Sequence, residues 1–102
     1  MFDIYCMQMG GKTNLPAHTK YTRYNNTHLA TIKRIIQKTK TQYVWVVSDL
    51  CDYTDFDFTW QPLPWEADQI HCWASGDQQY GDTFLIHVSA FKGQAEGLKV
   101  LG

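Results

Sequence analysis

No apolar run in this chain exceeds five residues. A membrane-spanning helix needs about 20, so no helix of this sequence is expected to cross a bilayer. The opening residues, "MFDIYCMQMGG", carry an acid near their start and no basic segment. They do not read as a secretory signal, and secretion by that route is not expected. Cysteine is scarce: Cys6, Cys51 and Cys72 are odd in number, widely spaced and form no C-x-x-C. That pattern argues against a disulfide framework and for three reduced thiols. Internal repeats and low-complexity segments are missing. "MGGK" lacks the rest of a phosphate-binding loop, so Gly10, Gly11 and Lys12 read as a turn.

Charge is missing by sign. Through Val47 the bases Lys12, Lys20, Arg23, Lys33, Arg34, Lys38 and Lys40 stand against Asp3 alone, a net of +6. From Ser48 onward Lys92 and Lys99 stand against nine acids, a net of −7. Such asymmetry marks a basic binding face, or two halves that attract each other in the fold or across a dimer. Three of the seven bases, Lys33, Arg34 and Lys38, belong to one expected helix and Lys40 follows it, where a solvated face explains them. Nucleic-acid binding is therefore only a third reading, and a pI near 6.4 counts against it.

What remains is an ordinary globular composition, 102 residues with 44% apolar and 19% charged content. A chain of this size buries about 60 to 70% of its unfolded surface, enough for a modest core. One domain is expected over residues 1–92, with 93–102 as a tail or severed linker. "FDIYCM" is β-prone and stopped by Gly-Gly, and "KYTRY" alternates as a short second strand. "NNTHLATIKRIIQKTK" carries the helical pattern: Asn26 or Thr27 caps it, and Leu29, Ile32, Ile35 and Ile36 form one stripe. The predicted helix spans 27–38.

"YVWVV", residues 43–47, is continuously apolar, as expected of a central strand covered on both faces. Strand, strand, helix and buried strand imply parallel pairing of the first and third strands. Two strands over 68–74 and 83–88 complete a C-terminal hairpin. The fold class is α/β, a mixed sheet of about five strands with one main helix.

The central strand empties into "SDLCDYTDFDFTWQPLPW", where acids alternate with aromatics. Ligands of open α/β sheets sit at the carboxyl ends of strands, where Asp49 stands. Asp49 and Asp52 form D-x-x-D, and Asp55 and Asp57 form D-x-D. Such carboxylates either hold Mn²⁺ or Mg²⁺, hard cations that bridge to diphosphates, or accept from backbone amides in turns. The turn reading is favoured, with the aromatics anchoring the loop to the core. Trp45 is read as core. Tyr53, Phe56, Phe58, Trp60, Trp65 and Trp73 either form a stacking platform or pack beneath a long loop. "QPLPW" reads as extended. His71 and Cys72 point to opposite faces of a strand, so they cannot share an ion; both His71 and His87 read as structural.

The ordered set "YVWVVSDLCDYTDFDFTWQPLPWEADQIHCW…GDTFLIHV", within residues 28 to 89, resembles a module in large proteins of marine T4-like bacteriophages, especially those of cyanobacteria, and in ocean metagenomic sequences. The resemblance implies a module often found in tandem, with no established activity. It implies a location in the cytoplasm of an infected bacterial cell, or in the virion. The layout is also similar to half of an A-type glycosyltransferase, with "SDLCD" where that family has D-x-D. The leading expectation is a non-catalytic α/β module serving assembly or binding, without a cofactor or catalytic residues. Its partners would be a second copy, as a two-fold dimer, or neighbouring repeats of the module. The alternative is a glycosyltransferase-like domain that binds a carbohydrate or nucleotide sugar. It would use Asp49 and Asp52 with Mn²⁺ or Mg²⁺, and Trp60 and Trp65 against the sugar.

Overall fold

The structure is a computed structural model that describes residues 1–73 and 82–93. Five strands form one mixed sheet: β1 (Asp3–Gln8), β2 (Lys20–Arg23), β3 (Tyr43–Ser48), β4 (His71–Cys72) and β5 (Phe84–His87), in the order β2-β1-β3-β5-β4. β1 runs parallel to both β2 and β3, whereas β5 is antiparallel to β3 and β4. This is the α/β arrangement expected, with the first and third strands parallel.

The order follows from burial. All six residues of β3 are buried, so this strand takes the centre, and alternation sends its side chains to both faces. Val44 and Val46 join Tyr5, Met7 and Ile86 on one face, against Ile32, Ile35 and Ile36 of the helix α1 (His28–Lys38). Tyr43, Trp45 and Val47 join Ile4, Cys6 and Leu85 on the other.

Helix α1 starts where a cap is available. The Thr27 hydroxyl accepts from the Ala30 amide at 3.1 Å, so Thr27 is the cap and the helix opens one residue later than expected. Asn26 precedes it at φ 65°, a left-handed conformation that asparagine tolerates. The fully buried Thr31 hydroxyl accepts from Asn25 N and donates to the Thr27 carbonyl, locking this end against the sheet.

Three local expectations are corrected. The hairpin strands are shorter than 68–74 and 83–88: residues 68–70 are turn and irregular backbone, and the connection 74–81 lies outside the described residues. Val88 belongs to a short second helix, α2 (Val88–Gly93), because His87 Nδ1 accepts from Ala90 N and so caps it. "QPLPW" is not extended throughout, since Pro64–Glu66 makes a 3₁₀ turn with proline at its first position, where no amide is missed. The tail expected over 93–102 lies, beyond Gly93, outside the described residues.

The sheet faces are covered by different devices. Helices α1 and α2 cover one. The other lies under the long connection from β3 to β4, residues 49–70, which has no regular structure beyond that 3₁₀ turn.

Candidate functional site

The carboxyl end of β3 is tied to that of β1. Asp49 N donates to the Met7 carbonyl at 3.4 Å, and the Asp49 carboxylate accepts from Met9 N at 3.0 Å. Ser48 Oγ accepts from Leu50 N at 3.1 Å, which turns the chain out of the strand. Gly11 lies so close that a Cβ there would collide with the Asp49 carbonyl. Glycine at this position is a matter of space, and "MGGK" is the turn that makes the close approach possible. Gly10, at φ 96°, supplies the left-handed step before it.

Asp52 and Asp57 are used alike. Asp52 Oδ1 accepts from Thr54 N at 3.0 Å and from the Thr54 hydroxyl at 2.6 Å. Asp57 Oδ1 accepts in the same way from Thr59 N and the Thr59 hydroxyl. Each is an aspartate closing on the residue two ahead. The Thr54 and Thr59 hydrogen bonds hold the two exposed carboxyls below their ordinary pKa. "DYT" and "DFT" are thus one turn written twice, five residues apart, and each turn sends its aromatic residue inward. Asp55 is exposed between them.

Phe56 and Phe58 pack around Trp45 with ring centroids 5.3 and 5.5 Å away, both nearly perpendicular. Trp73 closes a third side at 5.2 Å. Trp45 is fully buried, and its indole N–H donates to the Phe58 carbonyl at 3.1 Å, so the loop backbone satisfies the one polar atom of the ring. Tyr53 is also buried; its hydroxyl pairs with Thr83 Oγ1 at 2.6 Å and accepts from Ser48 N at 3.2 Å. Burial pushes this phenol well above its ordinary pKa. Burial, with Asp49 and Cys51 adding to it, pushes the Cys6 thiol up to about 12.

Of the acids and aromatics singled out in the sequence, these form one packed unit. Trp60 and Trp65 belong elsewhere. Trp60 sits at the rim, with centroids 5.2 Å from Trp73 and 5.4 Å from His71. His71 Nε2 donates to the Glu66 carbonyl at 2.9 Å, holding the 3₁₀ turn against β4. Trp65, on that turn, is 74% exposed and faces out with Leu63 and Ile70.

No three His, Cys, Asp or Glu side chains among the described residues gather as a metal site would require. Asp49 accepts from Met9 N and Asp52 from Thr54, so one oxygen of each carboxylate is tied to a different segment. Beside them lies a shallow groove of about 400 Å³, bordered by Lys12, Asn14, Asp52 and Thr54. A neighbouring groove of about 380 Å³ shares Asn14 and Thr54 and is floored by Tyr53, Phe56 and Phe58. The polar groups there come from two loops, 12–14 and 52–54.

One polar cluster was not anticipated from sequence. His28 Nε2 lies 2.8 Å from Asp82 Oδ1, and His28 Nδ1 lies 3.0 Å from the Tyr24 hydroxyl. A carboxylate only accepts, so Nε2 donates to it; in the neutral ring Nδ1 is then left to accept from Tyr24. Tyr24 and His28 are one helical turn apart, a spacing visible in the sequence. The 54-residue reach to Asp82 has no sequence signal. The cluster clasps the start of α1 to the turn that leads into β5. Compared with family models, with curated proteins and with solved structures, the chain matches none.

Proposed function

We propose that this chain is a non-catalytic α/β module that serves assembly or binding, and that its contact surface is the acidic, aromatic connection 49–70. What carries this reading is the division of the aromatic residues in that segment. Tyr53, Phe56 and Phe58 turn inward and complete the core, while Leu63, Trp65 and Ile70, close together in the chain beside Glu66 and Asp68, stay exposed. Exposed large apolar residues grouped together commonly mark a contact site, whereas single ones do not. Tryptophan is also among the residues enriched where binding energy concentrates.

The stitched carboxyl end of β1 and β3 supports the same reading. The place where open α/β sheets hold ligands is here spent on fastening one loop to another. Melting the protein with and without Mn²⁺ and a uridine diphosphate sugar tests the reading directly. A ligand bound by the folded state raises the melting temperature, so an unchanged value is expected. A rise that Asp49→Asn abolishes would return the chain to the glycosyltransferase-like reading.

A further inference from the structure

The charges that are segregated along the sequence are segregated across the sheet as well. The 25 residues from Asp49 to Trp73 hold six acids and no lysine or arginine. On the opposite face, α1 and α2 present Lys33, Arg34, Lys38 and Lys92, and neither helix contains an acid, although the Asp82 carboxylate is paired with His28 at the start of α1. Lys12, lining the groove beside Asp52, is a cation on the acidic side. Among the described residues the sheet thus has an acidic, tryptophan-bearing side and a basic, helical one.

We propose that the acidic face seats the basic α1 face of a second copy, so that copies associate head to tail. This rests on the reading of 49–70 as the contact surface and names its partner. Loop against loop would set six acids against six, and like charges across an interface cost affinity. Pairing of β2 with β2 in an antiparallel edge contact would bring together strands that each carry Lys20 and Arg23. Helix against loop sets opposite charges together. It also gives the exposed Trp65 ring a suitable cover, because a guanidinium or ammonium is attracted to an indole face and its methylene stem packs on the ring. Lys33 and Arg34 are half-buried, and Lys38 is exposed. Because the two surfaces differ, the contact is heterologous and leaves a free face at each end of a pair.

Sedimentation of the whole chain at about 200 μM, within reach of weak protein contacts, tests this with two face variants. Lys33→Glu with Arg34→Glu reverses the basic face, and Lys33→Gln with Arg34→Gln is the milder version should the reversal disturb folding. Trp65→Ala with Asp68→Lys alters the acidic face. Circular dichroism melts establish that each variant is folded. The wild type is expected to gain average mass with concentration at about 20 mM salt and to lose it at about 500 mM, where screening shortens the reach of charges. Each variant alone is expected to stay monomeric. Mixed in equal amounts, they keep one matched pair of faces and are expected to give a dimer and nothing larger.

A basic-face variant that associates as well as the wild type would overturn the head-to-tail partner while leaving the loop as a contact surface. An acidic-face variant that associates unchanged would sink the contact surface itself. A wild type that is monomeric throughout, association that strengthens with salt, or a mixture that stays monomeric would each refute the pairing.

Discussion

Trp45 is the residue around which the second face of the sheet is organised. A tryptophan at the centre of a small sheet needs a partner for its indole N–H and rings to fill the space around it. Both come from the irregular loop: the Phe58 carbonyl takes the N–H, and Phe56, Phe58 and Trp73 surround the ring. The acids beside them do local work, each closing a turn on a threonine. Removing a core phenyl should therefore matter far more than neutralising its neighbour. Phe56→Ala is expected to cost about 3 kcal/mol, the lower end for a truncated aromatic because Phe56 is only partly buried. Asp55→Asn, at an exposed position, is expected to stay within about 0.5 kcal/mol. Urea unfolding of both variants decides it, and comparable midpoints would mean that the loop does not anchor the core.

The buried thiol sets the behaviour in alkali. Cys6 has its pKa raised to about 12 from an ordinary 9.0, with burial the main cause. A group whose folded pKa lies above its unfolded value adds stability below the unfolded pKa and loses it as pH rises. Tyr53 is shifted in the same direction. Stability is thus expected to fall from about pH 9 upward, and Cys6→Ala should flatten the first part of that fall in melts between pH 8 and 11. At neutral pH the exposed Cys72 is expected to react with a thiol reagent in the native state, while Cys6 and Cys51, both buried, react only after unfolding.

At the scale of elements, legibility tracked how local the causes were. Helix α1 was readable because the isoleucine stripe and the Thr27 cap both lie within one short segment. β3 was readable because an unbroken apolar run can be satisfied only by cover on both faces. The alternation of acid and phenylalanine over 55–58 places Phe56 and Phe58 inward and Asp55 and Asp57 outward, the sides an extended segment would give them. The actual cause is a pair of turns, visible in retrospect as Asp-aromatic-Thr occurring twice. Helix α2 was missed since its cap is a histidine side chain, which carries no strong capping signature. The clasp of Tyr24, His28 and Asp82 could not be read at all, because only the closed sheet brings Asp82 to α1. Ile32→Asp would place an unpaired charge in the seam between α1 and β3, where Ile32 is buried. A loss of several kcal/mol, or failure to fold, is expected. A wild-type melting temperature would show that this helix face is not the one packed on the sheet.

At the scale of the whole molecule, the two coverings of the sheet differ in kind but not in necessity. Regular helices close one face and a connection almost devoid of regular structure closes the other. A loop on a surface usually opens more easily than the elements it joins. This one carries Tyr53, Phe56 and Phe58 against Trp45, Leu85 and Ile4, so lifting it would bare the entire second core. Each large apolar side chain returned to water costs about 1.5 to 3 kcal/mol. Several together approach the total of about 5 to 15 kcal/mol that holds a domain folded. The sheet and the loop are thus expected to be stable only together. Unfolding is therefore expected to be a single cooperative event. Tryptophan fluorescence, which reports the packing around Trp45 and Trp73, and far-ultraviolet circular dichroism, which reports sheet and helix, should trace the same denaturant transition. Fluorescence that changes at clearly lower urea than the dichroism would mean that the loop is a separate flap, and that the second face of the sheet is stable without its cover.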